Sequence, residues 1–266
     1  MKQRHLKIGE KLLSLTEPQV MAIINVTPDS FYTASRLTDD SALLRHVETC
    51  LANGAAILDI GGCSTRPGAE QPDMETEWKR LQPALQSIRN HFPDALLSLD
   101  TYRSRIAYRA VDSFGPMCIN DISGGTMDDD MFNQVAQLHV PYIFCTAQAT
   151  IGQTIATWQR GIDILHRMGC RDIILDPGFG FGKDIPQNYA ILRHLQEFQS
   201  LDLPLLVGLS RKSMLYKPLR LTPNDVLAAT NAANMTALLN GADILRVHDV
   251  QDAVQTITMY NNLSIL

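Results

Sequence analysis

Two copies of one sequence pattern determine the fold that we predict: Asn53–Asp59 reads NGAAILD, and Asn240–Arg246 reads NGADILR. In each copy a helix is expected to end on the Asn-Gly pair, where glycine adopts the left-handed conformation of a helix C-cap. A short apolar strand then follows directly and ends in a charged residue. The repeat therefore indicates helix–strand units that end in the same way at two distant places in the chain.

Strands of the same kind recur along the whole sequence. Each is a short, continuous run rich in Ile, Val and Leu, which is typical of parallel strands buried on both faces. Helical stretches with apolar residues three or four positions apart lie between them, as at 41–52 and 225–239. The eight predicted strands are Val20–Ile24, Ala55–Ile60, Ala95–Leu99, Met117–Ile119, Val140–Cys145, Asp172–Leu175, Pro204–Val207 and Ile244–Val247.

The number of strands favours a closed structure. Eight parallel strands with crossover helices can close into a (β/α)8 barrel or lie open as a doubly wound sheet, and the count of eight favours closure. No linker rich in Pro or Ser and no shift in charge divides the 266 residues. We therefore predict the α/β class, with residues 1–266 as a single-domain TIM barrel and residues 1–19 as a small N-terminal hairpin or cap.

The composition excludes several kinds of protein. Hydrophobic residues make up 45% of the chain and charged residues 19%, which favours a folded protein with a large core. The net charge of -5 gives no basis for binding nucleic acid or an acidic membrane surface. The N-terminal stretch is too polar for a signal peptide, which favours a cytoplasmic protein. Five cysteines without a Cys-x-x-Cys pair predict neither disulfides nor a zinc site.

Polar side chains follow almost every predicted strand, at the end where a barrel of this class carries its chemistry. Any one of them could serve only to begin a turn or to cap the next helix. That explanation is weaker for a complete ring, because a buried strand gains nothing from ending in a carboxylate. The residues are Asn25, Asp59, Asp100, Asn120–Asp121, Thr146, Asp176, Ser210–Lys212 and Arg246–Asp249.

The side-chain types in this ring predict the chemistry of the ligand. Asp100, Asn120 and Asp176 can bind the amino and N–H groups of a flat heterocycle. The residues that could supply positive charge to a phosphate or diphosphate are Arg66, Arg211, Lys212, Arg246 and His248. The expected ligand is therefore a small polar heterocycle that carries an anion.

A glycine-rich segment, Gly178–Lys183, looks at first like a phosphate-binding loop. It fails the Walker pattern, because Pro177 stands where the first glycine should be and Asp184 follows the lysine. It also lacks the third glycine of the dinucleotide-binding fingerprint. We expect its glycines to shape a loop beneath the ligand.

Six motifs, in order along nearly the whole chain, resemble the signatures of dihydropteroate synthase. They are Asn25–Phe31, Asp59–Gly62, Ser64–Ala69, Asp176–Lys183, Gly208–Ser213 and Arg246–Val250. The resemblance implies a transferase that joins 6-hydroxymethyl-7,8-dihydropterin diphosphate to 4-aminobenzoate. Its products would be diphosphate and dihydropteroate, for folate biosynthesis. It also implies Mg²⁺ as the cofactor and a homodimer.

The resemblance also implies roles for individual residues. The pterin would be bound by Asp100, Asn120, Asp176 and Lys212. The diphosphate would be bound by Asn25, Arg246 and His248, with Asn25 as a ligand of the metal. The 4-aminobenzoate site would be formed by Phe31, Thr65, Arg66, Pro67, Ser210 and Arg211. The implied catalytic residues are Thr65, Arg66, Lys212, Arg246 and His248.

Three segments depart from the family pattern. Thr33–Ser35 replaces an aspartate and two glycines, Cys63 replaces a glutamate, and Cys145–Gln148 replaces a Met-His-Met motif. The pterin and diphosphate residues are retained, whereas the loops serving aminobenzoate are altered. Two alternatives therefore stay open: a pterin-binding paralogue with little or no activity, and a barrel that transfers a methyl group from a reduced folate. The latter would have little use for the Ser64–Ala69 and Gly208–Ser213 motifs.

Overall fold

The computed structural model describes residues 5–27, 36–63 and 71–264. Within them, eight strands form one parallel sheet in which sequential strands are neighbours. A further bridge joins Leu175 to Leu205, so the first and last strands of the sheet meet and it closes on itself. The predicted barrel is therefore confirmed. Its strands are β3 Gln19–Asn25, β4 Ile57–Gly61, β5 Leu97–Asp100, β6 Cys118–Asp121, β7 Tyr142–Cys145, β8 Ile173–Asp176, β9 Leu206–Val207 and β10 Ile244–Val247.

Helices cross between the strands of the described part of the chain. They are α1 Arg36–Ala52, α2 Met74–His91, α3 Ser104–Phe114, α4 Met131–Leu138, α5 Ile151–Arg167, α6 Ile185–Arg193, α7 Ser213–Leu219, α8 Leu227–Leu239 and α9 Val250–Ser264, with a 3₁₀ helix at Leu195–Leu201. The helices predicted at 41–52 and 225–239 correspond to α1 and α8. None of the described helices is long and apolar enough to cross a membrane.

The two Asn-Gly pairs end their helices as predicted. Gly54 and Gly241 have φ angles of 95° and 94°, in the left-handed region. The N–H of Gly54 donates to the carbonyl of Leu51, and the next N–H donates to that of Cys50. At the second pair, the N–H of Gly241 donates to the carbonyl of Leu238, and the N–H of Ala242 donates to that of Ala237. This pair of bonds is the Schellman motif, which directs the chain from each helix into the following strand.

Alternation along the strands separates two packing regions. Residues such as Leu58, Leu99 and Val207 belong to the core between the sheet and the helices. Their neighbours in sequence face the barrel interior. Near the N-terminal ends of the strands these inward residues are apolar, including Met21 and Ile57. Two residues beyond the inward apolar residues of β4, β6, β8 and β10, the inward positions are polar, namely Asp59, Asn120, Asp176 and Arg246.

An antiparallel hairpin closes the apolar end of the barrel. It consists of β1 His5–Ile8 and β2 Lys11–Ser14, with Leu6 opposite Leu13. These two leucines are buried in one cluster with the inward apolar residues of the strands. The polar end of the interior is therefore the end that a ligand can enter.

Strand boundaries differ from the prediction by up to two residues. β6 extends to Asp121, although its predicted strand ended at Ile119, and β9 begins only at Leu206. The prediction followed hydrophobicity, whereas a strand is defined by backbone hydrogen bonds, which continue through polar residues. As a result, Asp100, Asn120 and Asp176 belong to strands and are held by the sheet itself.

Candidate functional site

The inward polar residues converge at the C-terminal end of the barrel interior. Asp59, Asp100, Asn120 and Asp176 are all less than 9% exposed. Asp59, Asn120 and Asp176 each follow an inward apolar residue by two positions, and Asp100 follows the buried Ser98. The same alternation that fills the lower barrel therefore places these side chains around its upper part. Ten or more residues of helix and loop separate each of them in sequence, and the closed sheet brings them together.

Arg246 lies at the centre of this group and joins two carboxylates. Its Nε donates to Asp59 Oδ2 over 2.6 Å, and its Nη2 donates to Asp100 Oδ2 over 2.7 Å. Burial opposes the charge of the guanidinium, but Asp59 and Asp100 outweigh it and hold the pKa of Arg246 above its ordinary value. The carboxylates would be very costly to bury without this cation.

Asn120 is oriented by the same carboxylate. Its Nδ2 donates to Asp59 Oδ2 over 2.9 Å, and because an ionised carboxylate can only accept, the amide must present its NH₂ to Asp59. Asn120 Oδ1 and Asp59 Oδ1 are buried acceptors without a hydrogen-bond partner among the described residues. Unpaired buried acceptors are costly, so this arrangement suits a ligand that donates N–H groups.

A pocket with about 320 Å³ of empty space, part of it open to solvent, lies above these residues. Its lining residues are Asn120, Ile122, Asp176, Phe179, Phe181, Gly208, Lys212 and Arg246. The Lys212 ammonium lies 4.3 Å from the centroid of the Phe181 ring. The lining thus combines acceptors, cations and aromatic rings, which matches the predicted flat heterocycle.

Burial shifts the pKa values of the ionisable groups around the pocket. It raises the pKa of Asp100 to about 7, although Arg246 opposes the shift. It also raises the pKa of Asp176, against the hydrogen bond from the backbone N–H of Gly178. It lowers the pKa of Lys212 to about 8, with Asp176 favouring the charged form. The pKa values of Asp100 and Lys212 therefore both lie near neutral pH.

The glycine-rich segment allows close approach between loops. A Cβ on Gly178 would lie 2.4 Å from the carbonyl oxygen of Thr146, and one on Gly180 would lie 3.1 Å from Lys212 Cδ. Both glycines have positive φ angles. The segment therefore forms a floor against Thr146 and Lys212. A loop-shaping role for these glycines is what the sequence led us to expect.

The loops after β9 and β10 are joined at the rim. The Ser210 hydroxyl lies 3.0 Å from His248 Nδ1 and accepts the His248 backbone N–H. Arg211 forms an ion pair with Asp249, with an Nη2 to Oδ1 distance of 2.7 Å. Burial, together with Arg211 and Arg246, lowers the pKa of His248 to about 4. The lowered pKa favours a neutral imidazole in the free protein at pH 7, and the role of His248 at the diphosphate stays a prediction.

Asn25 ends β3 opposite Gly61. Gly61 pairs with Asn25 on one side and with Asp100 on the other, so the Asn25 and Asp100 side chains lie at the same level of the barrel. Among the described residues, no group of three or more His, Cys, Asp or Glu side chains could hold a metal ion. Mg²⁺ usually takes only one or two protein oxygens, with water and phosphate completing its shell. The Asn25 amide oxygen is compatible with that coordination.

Some predicted site residues lie outside the described part of the chain. They are Phe31, Thr65, Arg66 and Pro67, and the altered segment Thr33–Ser35 is there as well. The structure brings together the remaining members, namely Asn25, Asp100, Asn120, Asp176, Ser210, Arg211, Lys212, Arg246 and His248.

Two altered positions can be placed. Cys63 is buried 3.8 Å from an Arg103 guanidinium nitrogen, and burial, followed by Glu77, raises the pKa of its thiol to about 12. Arg103 is paired with the fully buried Glu77, so a carboxylate stands near position 63 although the residue itself is a cysteine. The Cys145 thiol lies beneath Gly178, 3.0 Å from the position of a Cβ there.

Sequence reasoning missed several partners. Asp59 and Asp249 were noted at strand ends but given no role, and Glu77 was not considered. The sequence held one signal for Asp59, because it occupies the position in the repeated pattern that Arg246 occupies in the second copy. Glu77 had none, because a glutamate in the first turn of α2 looks like an ordinary exposed residue near a helix N-terminus.

Fold and site together define a (β/α)8-barrel enzyme that binds a small heterocycle with an anionic group at the C-terminal rim. The family model of the pterin binding enzymes matches residues 21–248. The dihydropteroate synthase of Clostridium beijerinckii is 36% identical over 255 residues, covering 92% of this chain and 94% of that protein. The folic acid synthesis protein fol1 of Pneumocystis carinii is 38% identical over 261 residues, covering 88% of this chain and 34% of that protein.

A solved structure is similar over the whole chain. The Xanthomonas albilineans dihydropteroate synthase with 4-aminobenzoic acid has a TM-score of 0.91 and 32% identity, with full coverage of both chains. The chain therefore belongs to the pterin-binding enzymes and, among them, to the dihydropteroate synthase family. It is a transferase of folate biosynthesis, and the resemblance found in the sequence is confirmed.

We predict that affinity for 6-hydroxymethyl-7,8-dihydropterin diphosphate falls as the pH rises through about 8, because Lys212 then loses its charge. Lys212→Arg keeps a cation at every pH tested. The affinity of this variant relative to wild type should rise about tenfold between about pH 7 and pH 9.5, the value of one charged hydrogen bond. Calorimetric titration measures both affinities, and titration of the ligand cancels in the ratio. A ratio independent of pH would contradict the role of Lys212.

Proposed function

We propose that the residues at the upper end of the barrel join 6-hydroxymethyl-7,8-dihydropterin diphosphate to 4-aminobenzoate and release diphosphate. The observation that carries this proposal is the convergence of Asn120, Asp176, Lys212 and Arg246 on one pocket, with Asp100 paired to Arg246. Asn120 also has an unpaired acceptor there. Acceptors and cations in this combination suit a ring with N–H groups and an anionic tail.

The pterin would be recognised by hydrogen bonds in the buried half of the site. Asp100 and Asp176 accept N–H groups of the aminopyrimidinone, Asn120 accepts through Oδ1, and Lys212 donates to a ring acceptor. A ligand lacking these groups would leave the buried acceptors unpaired, so the site discriminates against it strongly. The Phe181 ring, next to Lys212, offers an apolar surface for the bicycle.

The diphosphate would be bound at the rim. Among the described residues, Arg246 donates from Nε to Asp59 and from Nη2 to Asp100, which leaves further N–H groups for a phosphate oxygen. His248 would donate a hydrogen bond from its neutral ring, and Asn25 would provide an oxygen ligand for Mg²⁺. When bound, Mg²⁺ would neutralise charge on the departing diphosphate.

The reaction needs charge neutralisation more than it needs a strong base. The amine nitrogen of 4-aminobenzoate bonds to the pterin methylene carbon while the carbon–oxygen bond to diphosphate breaks. Diphosphate leaves with the electron pair, and the amine releases one proton. Arg246 stabilises the developing negative charge without moving, because Asp59 and Asp100 already fix its orientation. No protein nucleophile takes part.

The 4-aminobenzoate site would include Phe31, Thr65, Arg66, Pro67 and Ser210. The similar Xanthomonas albilineans enzyme was solved with 4-aminobenzoic acid, which supports this substrate. In the present chain Ser210 is buried at the rim beside His248, next in sequence but one to the pocket residue Lys212.

The direct test is release of diphosphate from the pterin diphosphate, with and without 4-aminobenzoate, in Mg²⁺. We expect the amine to stimulate release, and chelation of Mg²⁺ to abolish most of it. Lys212→Met should lower release at least about tenfold because it removes a charged contact to the pterin. Lys217→Met, at an exposed position on α7, is the matched control and should have no effect.

The two alternative functions give different results in this assay. A silent pterin-binding paralogue would bind the pterin diphosphate but release no diphosphate in response to the amine. A folate-dependent methyltransferase would neither need the amine nor release diphosphate. Either result with correctly folded protein would contradict the proposal.

The proposal also covers the assembly and the extent of the domain. The whole chain would be one pterin-binding domain acting in the cytoplasm, where its five free cysteines would stay reduced. A homodimer would form through an apolar groove between α6, α7 and α8, lined by Tyr189, Leu215, Leu219, Ala229 and Ala233 among others. Leu219 and Tyr189 are 54% and 41% exposed in the single chain, which favours burial against a second copy.

Sedimentation velocity tests the dimer. We expect a particle of twice the 29.6 kDa chain mass at micromolar concentration. Leu219→Glu should shift it toward monomer, because the substitution places a charge in the apolar contact. Leu12→Glu, at a 65% exposed leucine on the hairpin, is the matched control and should leave the dimer intact. A monomeric wild-type protein would contradict this part of the proposal.

A further inference from the structure

Arg211 stands where the backbone would favour a different residue. Its φ angle is 58°, in the left-handed region, and the N–H of Lys212 donates to the carbonyl of Leu209 across the turn. Glycine occupies this conformation without steric cost, whereas a long side chain does not. Backbone strain of this kind at the rim of a site indicates that the Arg211 side chain has a specific role.

The Arg211 guanidinium is bound by neighbouring residues, although the side chain is 34% exposed. Its Nε and Nη2 donate to the two carboxylate oxygens of Asp249, over 3.2 Å and 2.7 Å. Its Nη1 donates to Asn224 Oδ1 over 3.2 Å. A bidentate pair of this kind fixes direction as well as distance. All three nitrogens of the guanidinium are therefore engaged by neighbouring residues, in an arrangement that a ligand carboxylate would have to disrupt.

The two partners belong to two loops that carry different substrate contacts. Arg211 directly precedes Lys212, which faces the pterin pocket, and Asp249 directly follows His248, at the diphosphate end. β9 and β10, which lead into these loops, pair through only two residues of β9. Above the paired strands, the described contacts between the loops are the Ser210–His248 hydrogen bonds and the Arg211–Asp249 ion pair.

We infer that Arg211 is a positioning residue that acts through Asp249 and sets the distance between Lys212 and His248. The inference rests on the proposed function and reassigns Arg211, which the sequence placed among the 4-aminobenzoate ligands. A pterin diphosphate spans both loops, so correct spacing lets its two ends bind at once. The pterin alone, or inorganic diphosphate alone, touches one loop and does not depend on the spacing.

The test compares Asp249→Asn and Arg211→Met with wild type by calorimetry, using three ligands in Mg²⁺. The ligands are the pterin diphosphate, 6-hydroxymethyl-7,8-dihydropterin and inorganic diphosphate. Both variants should weaken the pterin diphosphate roughly tenfold or more, because linked contacts lose their combined effect when their geometry is lost. Binding of the two separate ligands should change less than about twofold.

Kinetics and a double-mutant cycle separate positioning from direct binding. Both variants should lower kcat or raise the KM for the pterin diphosphate, with the KM for 4-aminobenzoate nearly unchanged. The double variant should resemble either single variant, since both remove one ion pair. Arg211→Lys should recover part of the loss. Arg211→Gly, which relieves the backbone strain, should not.

The controls keep the inference falsifiable. Arg220→Met replaces an exposed arginine with a similar φ of 57° and should behave like wild type. The calorimetric comparison needs no turnover, so it stands even where the synthase assay fails. The inference is overturned if Arg211→Met raises only the KM for 4-aminobenzoate while Asp249→Asn changes nothing. It is equally overturned if all three ligands weaken alike, or if Arg211→Gly retains full affinity.

Discussion

The site depends on one buried cation held between two buried carboxylates. Arg246 contacts Asp59 and Asp100 inside the barrel, where none of the three could remain charged alone. Asp59 also accepts the Asn120 amide and so determines which face of that amide remains for a ligand. The proposed pterin-binding groups and the proposed diphosphate-binding cation are thus positioned by a single electrostatic arrangement. Changing one member alters the others.

The barrel supplies the stability that this buried charged layer requires. The lower interior is filled by apolar side chains and closed by the Leu6–Leu13 hairpin, so its burial can offset the desolvation of the charged layer above. The strands, rather than flexible loops, carry Asp59, Asp100, Asn120, Asp176 and Arg246. Groups fixed by a sheet need little reorganisation when substrate binds, which favours both affinity and catalysis.

Much of this could be predicted from the sequence, for identifiable reasons. Eight apolar runs and two Asn-Gly caps were sufficient for the barrel, because both follow from local backbone geometry and from burial on two faces. The polar ends of the strands indicated where the site lies. The sequence could not show that Asp59 pairs with Arg246, since the two are separated by most of the chain and meet only after closure. Likewise, the neutral state of His248 follows from burial beside Arg211 and Arg246, which no motif records.

The central claim is that Asp100, within the Arg246 network, reads the pterin ring. Isothermal calorimetry with 6-hydroxymethyl-7,8-dihydropterin diphosphate in Mg²⁺ tests it most directly, comparing wild type, Asp100→Asn and the exposed control Asp94→Asn. The account predicts binding by wild type and by the control, and a loss of at least about 1.4 kcal/mol, or tenfold in Kd, for Asp100→Asn. Failure of the wild-type protein to bind, or equal affinity in all three proteins, would contradict it.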